Sequence, residues 1–373
     1  MSIDTRWTFS VTAGSNLQDV LNAARPGDII QLQADATFVG NFTLPAKPQN
    51  QNSPQWIVIR SDASDANLPP AGTRVQPSFA PFLPKLVSPN QDPALKTDAG
   101  AEFYSLFGVE LTVDPSVSEN GGVVAFGDGS QTLLSEVPSN LVLDRCYIHG
   151  TPTQNTYRGV ALNSAYTTIT ECYISDFHKQ RLADSGGPDA QAISGWNGPG
   201  PFQIVNCYLE GGDENVLFGG VDPAITDLVP SNITFSSNYC SKPFSWRLGD
   251  PSYDGRDWRI KNIFELKNAQ RVMIEGNVFE HCWVNGDQNA TAIVFTPRNQ
   301  DGAAPWSVVQ DVIFRNNIVL HSGQGLRTLG VDDTHQSLPL KRITIENNLF
   351  ADIDGDKWGR EGTAVDGRWL GIT

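Results

Sequence analysis

Between Leu141 and Asp352 one short phrase recurs seven times, apolar-x-apolar-x-x-(Asn or Cys)-x-apolar, and never at a helical period. The copies read LVLDRCYI, TTITECYI, FQIVNCYL, ITFSSNYC, VMIEGNVF, VIFRNNIV and ITIENNLF. Their sixth positions are Cys146, Cys172, Cys207, Asn238, Asn277, Asn317 and Asn348, at intervals of 26, 35, 31, 39, 40 and 31 residues. A constant phrase at unequal spacing describes a unit that stacks on copies of itself while its turns vary in length, which is a solenoid.

The rest of the chain agrees with a strand-built stack. Charged residues are only 18%, with 34 Gly and 24 Pro in 373 residues, a turn-rich composition with little room for long amphipathic helices. Each phrase after the first is preceded by a second short apolar strand: 159–163, 192–197, 215–220, 263–268, 292–299 and 325–330. Two strands and variable turns per rung predict a parallel β-helix. The recurring Asn fits a tight bend, where it tolerates a left-handed backbone and bonds to its counterparts on neighbouring rungs, roughly 4.8 Å away.

Residues 16–24, with apolar side chains at Leu17, Val20 and Leu21 and a breaker at Arg25-Pro26-Gly27, predict a short amphipathic helix just before the first strand. It would cover the open end of the stacked core. Residues 61–100 hold seven prolines and little periodicity, and read as a long loop on the body. The repeats then run over 104–373 in one domain spanning 1–373. The segment TAVDGRWLGIT reads as a further strand with no evident capping helix, leaving a last rung that a protein partner or another copy could cover.

The segment LNAARPGDIIQL and nearly everything from Tyr104 onward resemble the right-handed parallel β-helix superfamily, the pectate-lyase-like fold. The resemblance implies an all-β, right-handed parallel β-helix with a short N-terminal capping helix. It implies no single activity, because the superfamily holds polysaccharide lyases, glycoside hydrolases, epimerases, phage tailspikes and adhesins.

A formal net charge of −15 argues against a nucleic-acid backbone or an anionic membrane as partner. The N-terminal MSIDTRWTFS lacks the basic-then-apolar layout of a signal peptide. An extracellular or periplasmic chain whose signal has been removed and an intracellular chain both fit. Cys146, Cys172 and Cys207 share one repeat position and Cys240 stands where the other copies carry Ile, Leu, Phe or Val, so the cysteines read as buried fillers rather than bridges.

Simple alternation along the second strand places Trp196, Lys267, Arg298 and Arg327 in one outward column, the first three followed by Asn197, Asn268 and Asn299. Residues 242–271 carry seven basic side chains, and Trp246, Trp258, Trp283 and Trp306 offer flat faces for sugar rings. The expectation is an acidic polysaccharide in a groove with a basic floor. β-Elimination there needs a base and a group neutralising the sugar carboxylate, roles that fall to Lys267 and Arg298. As surface residues the same two could simply pair with Glu265 and Asp301.

A hydrolase would need two carboxylates, for which Asp189, Asp213, Glu214 and Glu265 are available, with Glu214 and Glu265 on neighbouring rungs. Strict alternation turns Glu214 outward only if Leu217, rather than Val216 and Phe218, points to the core. A third alternative is a non-catalytic structural or adhesive β-helix. A second column, Asp176, Lys242, His281, His321 and Asp352 with His178 nearby, reads as acid–base groups or as half-exposed turn residues. No HExxH or paired CxxC spacing appears; no cofactor is required, and Ca2+ is the ion that loop carboxylates could hold.

Overall fold

Each repeat phrase spans a bend between two strands, and the bend is built from two adjacent residues with different tasks. The fifth position is left-handed: Arg145, Glu171, Asn206, Ser237, Gly276, Asn316 and Asn347 all have φ between 50° and 67°. The sixth carries the ladder. Asn238, Asn277, Asn317 and Asn348 each accept, on Oδ1, the backbone N–H of the sixth residue one rung earlier at 2.8–2.9 Å. Each Nδ2 donates to a carbonyl of that earlier rung: Ile204, Phe235, Ile274 and Phe314. The expected left-handed Asn is therefore corrected by one position, since the buried Asn makes bonds that a side chain in the exposed preceding position could not.

The computed structural model describes residues 6–50, 52–181, 187–286, 288–359 and 365–373. Among them, strands form three long parallel sheets of 11, 10 and 10 strands. The chain is a right-handed parallel β-helix, all-β, with three strands per rung where the sequence reading gave two. The phrase itself holds both the first and the second, as in Ser139–Asp144 and Tyr147–His149, and the separate apolar segments form the third, as in Arg158–Leu162. The bend between the first two is two residues long, too short to break the apolar pattern visibly.

The interior is a continuous stack of aliphatic and aromatic side chains from Val11 to Val365. Phe235, Phe279 and Phe314 stack on successive rungs with ring centroids 6.1 and 5.9 Å apart. The five cysteines are buried and unbridged, and burial pushes the Cys282 thiol up to about 12.

The N-terminal helix is Leu17–Ala23, capped by Asn16 and burying Leu17 and Leu21. It follows the first strand, Thr8–Val11, rather than preceding it; that strand pairs with Ile29–Leu32. Residues 61–100 also depart from expectation. They contain short 3-10 turns and two sheet strands, Lys85–Ser88 and Leu95–Thr97, so the prolines punctuate a complete part of the solenoid instead of a loop lying on it. At the other end, Leu370–Ile372 pairs with Gln324–Thr328, and a one-turn helix, Gly355–Trp358, packs Trp358 against the body. No helix among the described residues is long and apolar enough to cross a membrane.

Candidate functional site on the third sheet

Strict alternation fails on the third sheet for a repeated reason. In each rung two consecutive residues enter the core: Ala192 and Ile193, Ile263 and Phe264, Ala292 and Ile293. Asn215 and Val216 do the same, the Asn amide bonding to the carbonyls of Leu209 and Ser241. Outward positions are thus three apart, not two, so Glu214 and Leu217 both leave the core while Val216 and Phe218 stay in it. This corrects the either-or reading of Glu214.

Register then fixes the outer face. Leu217, Glu265, Val294 and Arg327 are successive partners in one column. Lys267, Thr296 and Leu329 form the next, joined by Thr296 N–H to Leu266 O at 2.9 Å and Leu329 N–H to Phe295 O at 3.0 Å. Glu265, Lys267, Thr296, Arg298, Arg327 and His335 line a cleft of about 340 Å3. Arg327 therefore belongs to the column of Glu265 and Thr296 to that of Lys267, whereas alternation puts Lys267, Arg298 and Arg327 in one column.

The cleft's charges are unequally engaged. The Lys267 ammonium lies 4.0 Å from Glu265 Oε1, and Glu265 Oε2 accepts from Asn262 Nδ2 at 3.0 Å. Arg298 is held by Asp332, at 2.7 Å, and by Asp333. Asp332 also accepts the N–H groups of Asn299 and Thr334 at 2.8 Å, which keeps it below the ordinary carboxylate value against the opposing effect of burial. Arg327 is exposed and has no ion-pair or hydrogen-bond partner for its guanidinium among the described residues. His335 bonds through Nδ1 to the Asn299 carbonyl at 2.9 Å.

Beside the cleft sits a closed charge cluster. Lys261 Nζ meets Asp189 at 2.7 Å and Glu214 at 3.0 Å, and Arg259 meets Asp189 and Asp213, each at 3.2 Å. Burial, then the neighbouring carboxylates, pushes Asp213 up to about 8 and raises Glu214, whereas Asp189 is drawn low by Lys261, Arg259 and Lys179, which outweigh its desolvation. Glu214 has 0% exposure and its Oε2 accepts from Gln191 at 2.8 Å. It cannot face a sugar together with Glu265, and Asp189 is engaged by three cations.

Other candidates are placed in structural roles. Trp196 is 9% exposed, stacked beneath Arg158 and against Gly129. Asn197, Asn268 and Asn299 are buried braces: their amides bond to turn carbonyls at Gly129 and Gln131, Leu228, and Gln336. Trp246, Trp258 and Trp283 form a buried cluster with Trp358, and Trp306 donates to Leu228 O. Two of the basic run, Lys242 and Lys261, are buried; Lys242 lies on the carbonyls of Gly211 and Gly212, and burial lowers it to about 8.

The column four residues past the ladder is chiefly a backbone feature. Asp176, His281, His321 and Asp352 all have φ between 53° and 69°, a conformation in which Asp and His are enriched. His281 and His321 stack at 5.4 Å, and His321 Nδ1 meets Asp352 at 2.7 Å. Among the described residues no group of three or more His, Cys, Asp or Glu side chains is arranged to hold a metal ion.

The sequence reading missed His335, Asp332 and the freedom of Arg327. They lie on or beside a polar turn, 331–337, that has no periodicity to announce it.

No family model matches the sequence, and no curated protein matches it. Among solved structures, the chain is similar to an alginate lyase from Paenibacillus sp. str. FPU-7 (14% identity, TM-score 0.45, covering 92% of this chain and 99% of that one). It is similar to pectate lyase Pel9A (12%, 0.49, 93% and 80%) and to a Family 28 exopolygalacturonase from Yersinia enterocolitica (11%, 0.44, 98% and 78%). At these identities the likeness concerns the fold alone.

Proposed function

We propose that this protein acts on an acidic polysaccharide bound along the outer face of the third sheet, and that it cleaves the chain by β-elimination. The observation that carries the reading is Arg327: an exposed guanidinium without an acidic partner among the described residues, in the same cleft as the Lys267–Glu265 pair. In a protein of net charge −15, an exposed cation in a concave polar cleft is suited to a sugar carboxylate, which a guanidinium grips with two parallel hydrogen bonds. Neutralising that carboxylate acidifies the adjacent C–H, which is what elimination requires. The clamp passes from Arg298, which Asp332 and Asp333 already occupy, to Arg327. Hydrolysis by Glu214 and Glu265 is disfavoured because Glu214 is sealed beneath Lys261.

The test is incubation with a panel of acidic and neutral polysaccharides, with and without Ca2+, following ultraviolet absorbance and reducing ends together. Both rising on a uronate polymer supports elimination. Reducing ends without absorbance point to hydrolysis, and silence on both channels removes the enzymatic reading.

A further inference from the structure

Elimination needs a proton acceptor, and the cleft's charged groups narrow the choice. Lys267 is ion-paired with Glu265, and an ammonium has no lone pair to accept with. Arg298 and Arg327 are guanidiniums. Glu265 is bonded to Asn262 and paired with Lys267, and Asp332 and Asp333 are spent on Arg298 and on backbone N–H groups. His335 remains. The Asn299 carbonyl can only accept, so the 2.9 Å contact places a proton on Nδ1 and leaves the lone pair on Nε2 when the ring is neutral.

We propose that His335 is the general base of the reaction and that Lys267 is the proton donor to the leaving group. This rests on the reading of the cleft as a uronate-eliminating site. The His335 Nε2 lone pair takes the proton α to the sugar carboxylate, and the electron pair of that C–H bond forms the new C4=C5 double bond. The C4–O4 bond breaks, and O4 leaves with a proton from the Lys267 ammonium. Solvent returns one proton to Lys267 and removes one from His335, so the protein is restored without an oxidant or a cofactor. The Asn299 carbonyl orients the ring as a carboxylate or carbonyl does in other histidine bases. Asn299 is then a positioning residue, through its backbone.

The test compares the 373-residue chain with its His335→Asn variant, whose amide can still donate toward the Asn299 carbonyl but has no titratable lone pair. On the uronate polymer that the wild type cleaves, kcat is expected to fall about 100- to 1,000-fold with KM within a few-fold, and the acid limb of the kcat–pH profile to vanish. An unchanged kcat and acid limb in a folded His335→Asn variant overturns the proposal while leaving the elimination reading standing. A wild type that releases no unsaturated product from any uronate polymer overturns both. If His335→Asn does not fold, His335→Gln read by the same pH profile decides the matter.

Discussion

Asn317 Oδ1 accepts two hydrogen bonds from Asn277, one from its backbone N–H at 2.9 Å and one from its side-chain Nδ2 at 3.0 Å. The pair is buried and repeats through Asn238 and Asn348, so the Asn side chains form a continuous ladder along one corner of the solenoid.

Replacing one ladder member tests that bond directly. Asn277→Ala removes the acceptor for the Asn238 N–H and the donor to the Phe235 carbonyl, both buried. A loss of about 2–4 kcal/mol is expected, from two backbone groups left without partners. Thermal unfolding should show a clearly lower midpoint for Asn277→Ala than for Asn348→Ala, whose site is partly exposed. Equal midpoints would count against the ladder as a stabilising element.

Lys261 holds Asp189 and Glu214 together inside the protein. Lys261→Met keeps the stem's volume and strands the buried Glu214, while Asp189 keeps Arg259 and Lys179, and should cost about 3–5 kcal/mol. Adding Glu214→Gln to the same chain should recover part of the loss. A double variant no more stable than the single one, in urea unfolding at neutral pH, would contradict the pairing.

The two arginines of the cleft should behave oppositely. Arg327→Ala removes a cation with no partner among the described residues, so the unfolding midpoint should stay put while KM for a uronate polymer rises about 10- to 100-fold, as expected for one lost charge-assisted contact. Arg298→Ala leaves Asp332, whose side chain is 1% exposed, without its counter-charge and should lower stability. A large KM effect at Arg298 with unchanged stability would restore the assignment that alternation suggests.

His178 gives the fold a pH dependence. It is buried between Trp246 and Trp258 with neither ring nitrogen bonded among the described residues, and burial, assisted by Arg256, lowers it to about 3. A folded-state value below the unfolded one of about 6.5 means the unfolded chain binds the proton first. The ring's full contribution is therefore present above about 6.5 and is lost as the pH falls from there toward 3. At pH 5 the loss is about 2 kcal/mol. His178→Phe should flatten that slope in unfolding measured from pH 7.5 to pH 4.5, and parallel curves for the two proteins would refute the assignment.

The fold was legible because the strongest signal in the chain, the repeated Asn or Cys after two apolar positions, marks a contact made between rungs and so must recur. The cysteines were legible for the same reason: Cys207 donates its backbone N–H into the ladder at Asn238 while its thiol fills the core. What escaped was side-chain direction. On the third sheet two adjacent inward residues shift every outward position, and nothing in ENVLF or NIFEL shows this without the backbone. Arg298 and Arg327 were likewise equivalent in sequence; only the fold brings Asp332 and Asp333 to one of them. The tryptophans of 242–283 suggest sugar platforms by type, yet they bury each other because the long turn needs a small core of its own.

The ladder has a direction. The N–H of Cys207, Asn238, Asn277 and Asn317 is each satisfied by a side chain that lies 31, 39, 40 and 31 residues further along the chain. During synthesis from the N-terminus, every one of these rungs leaves the ribosome with an open amide and waits for its successor to close it. Each such rung thus offers its successor an open amide beside the apolar side chains on which the new rung packs, and an Asn at the sixth position answers both that amide and a carbonyl of the earlier rung.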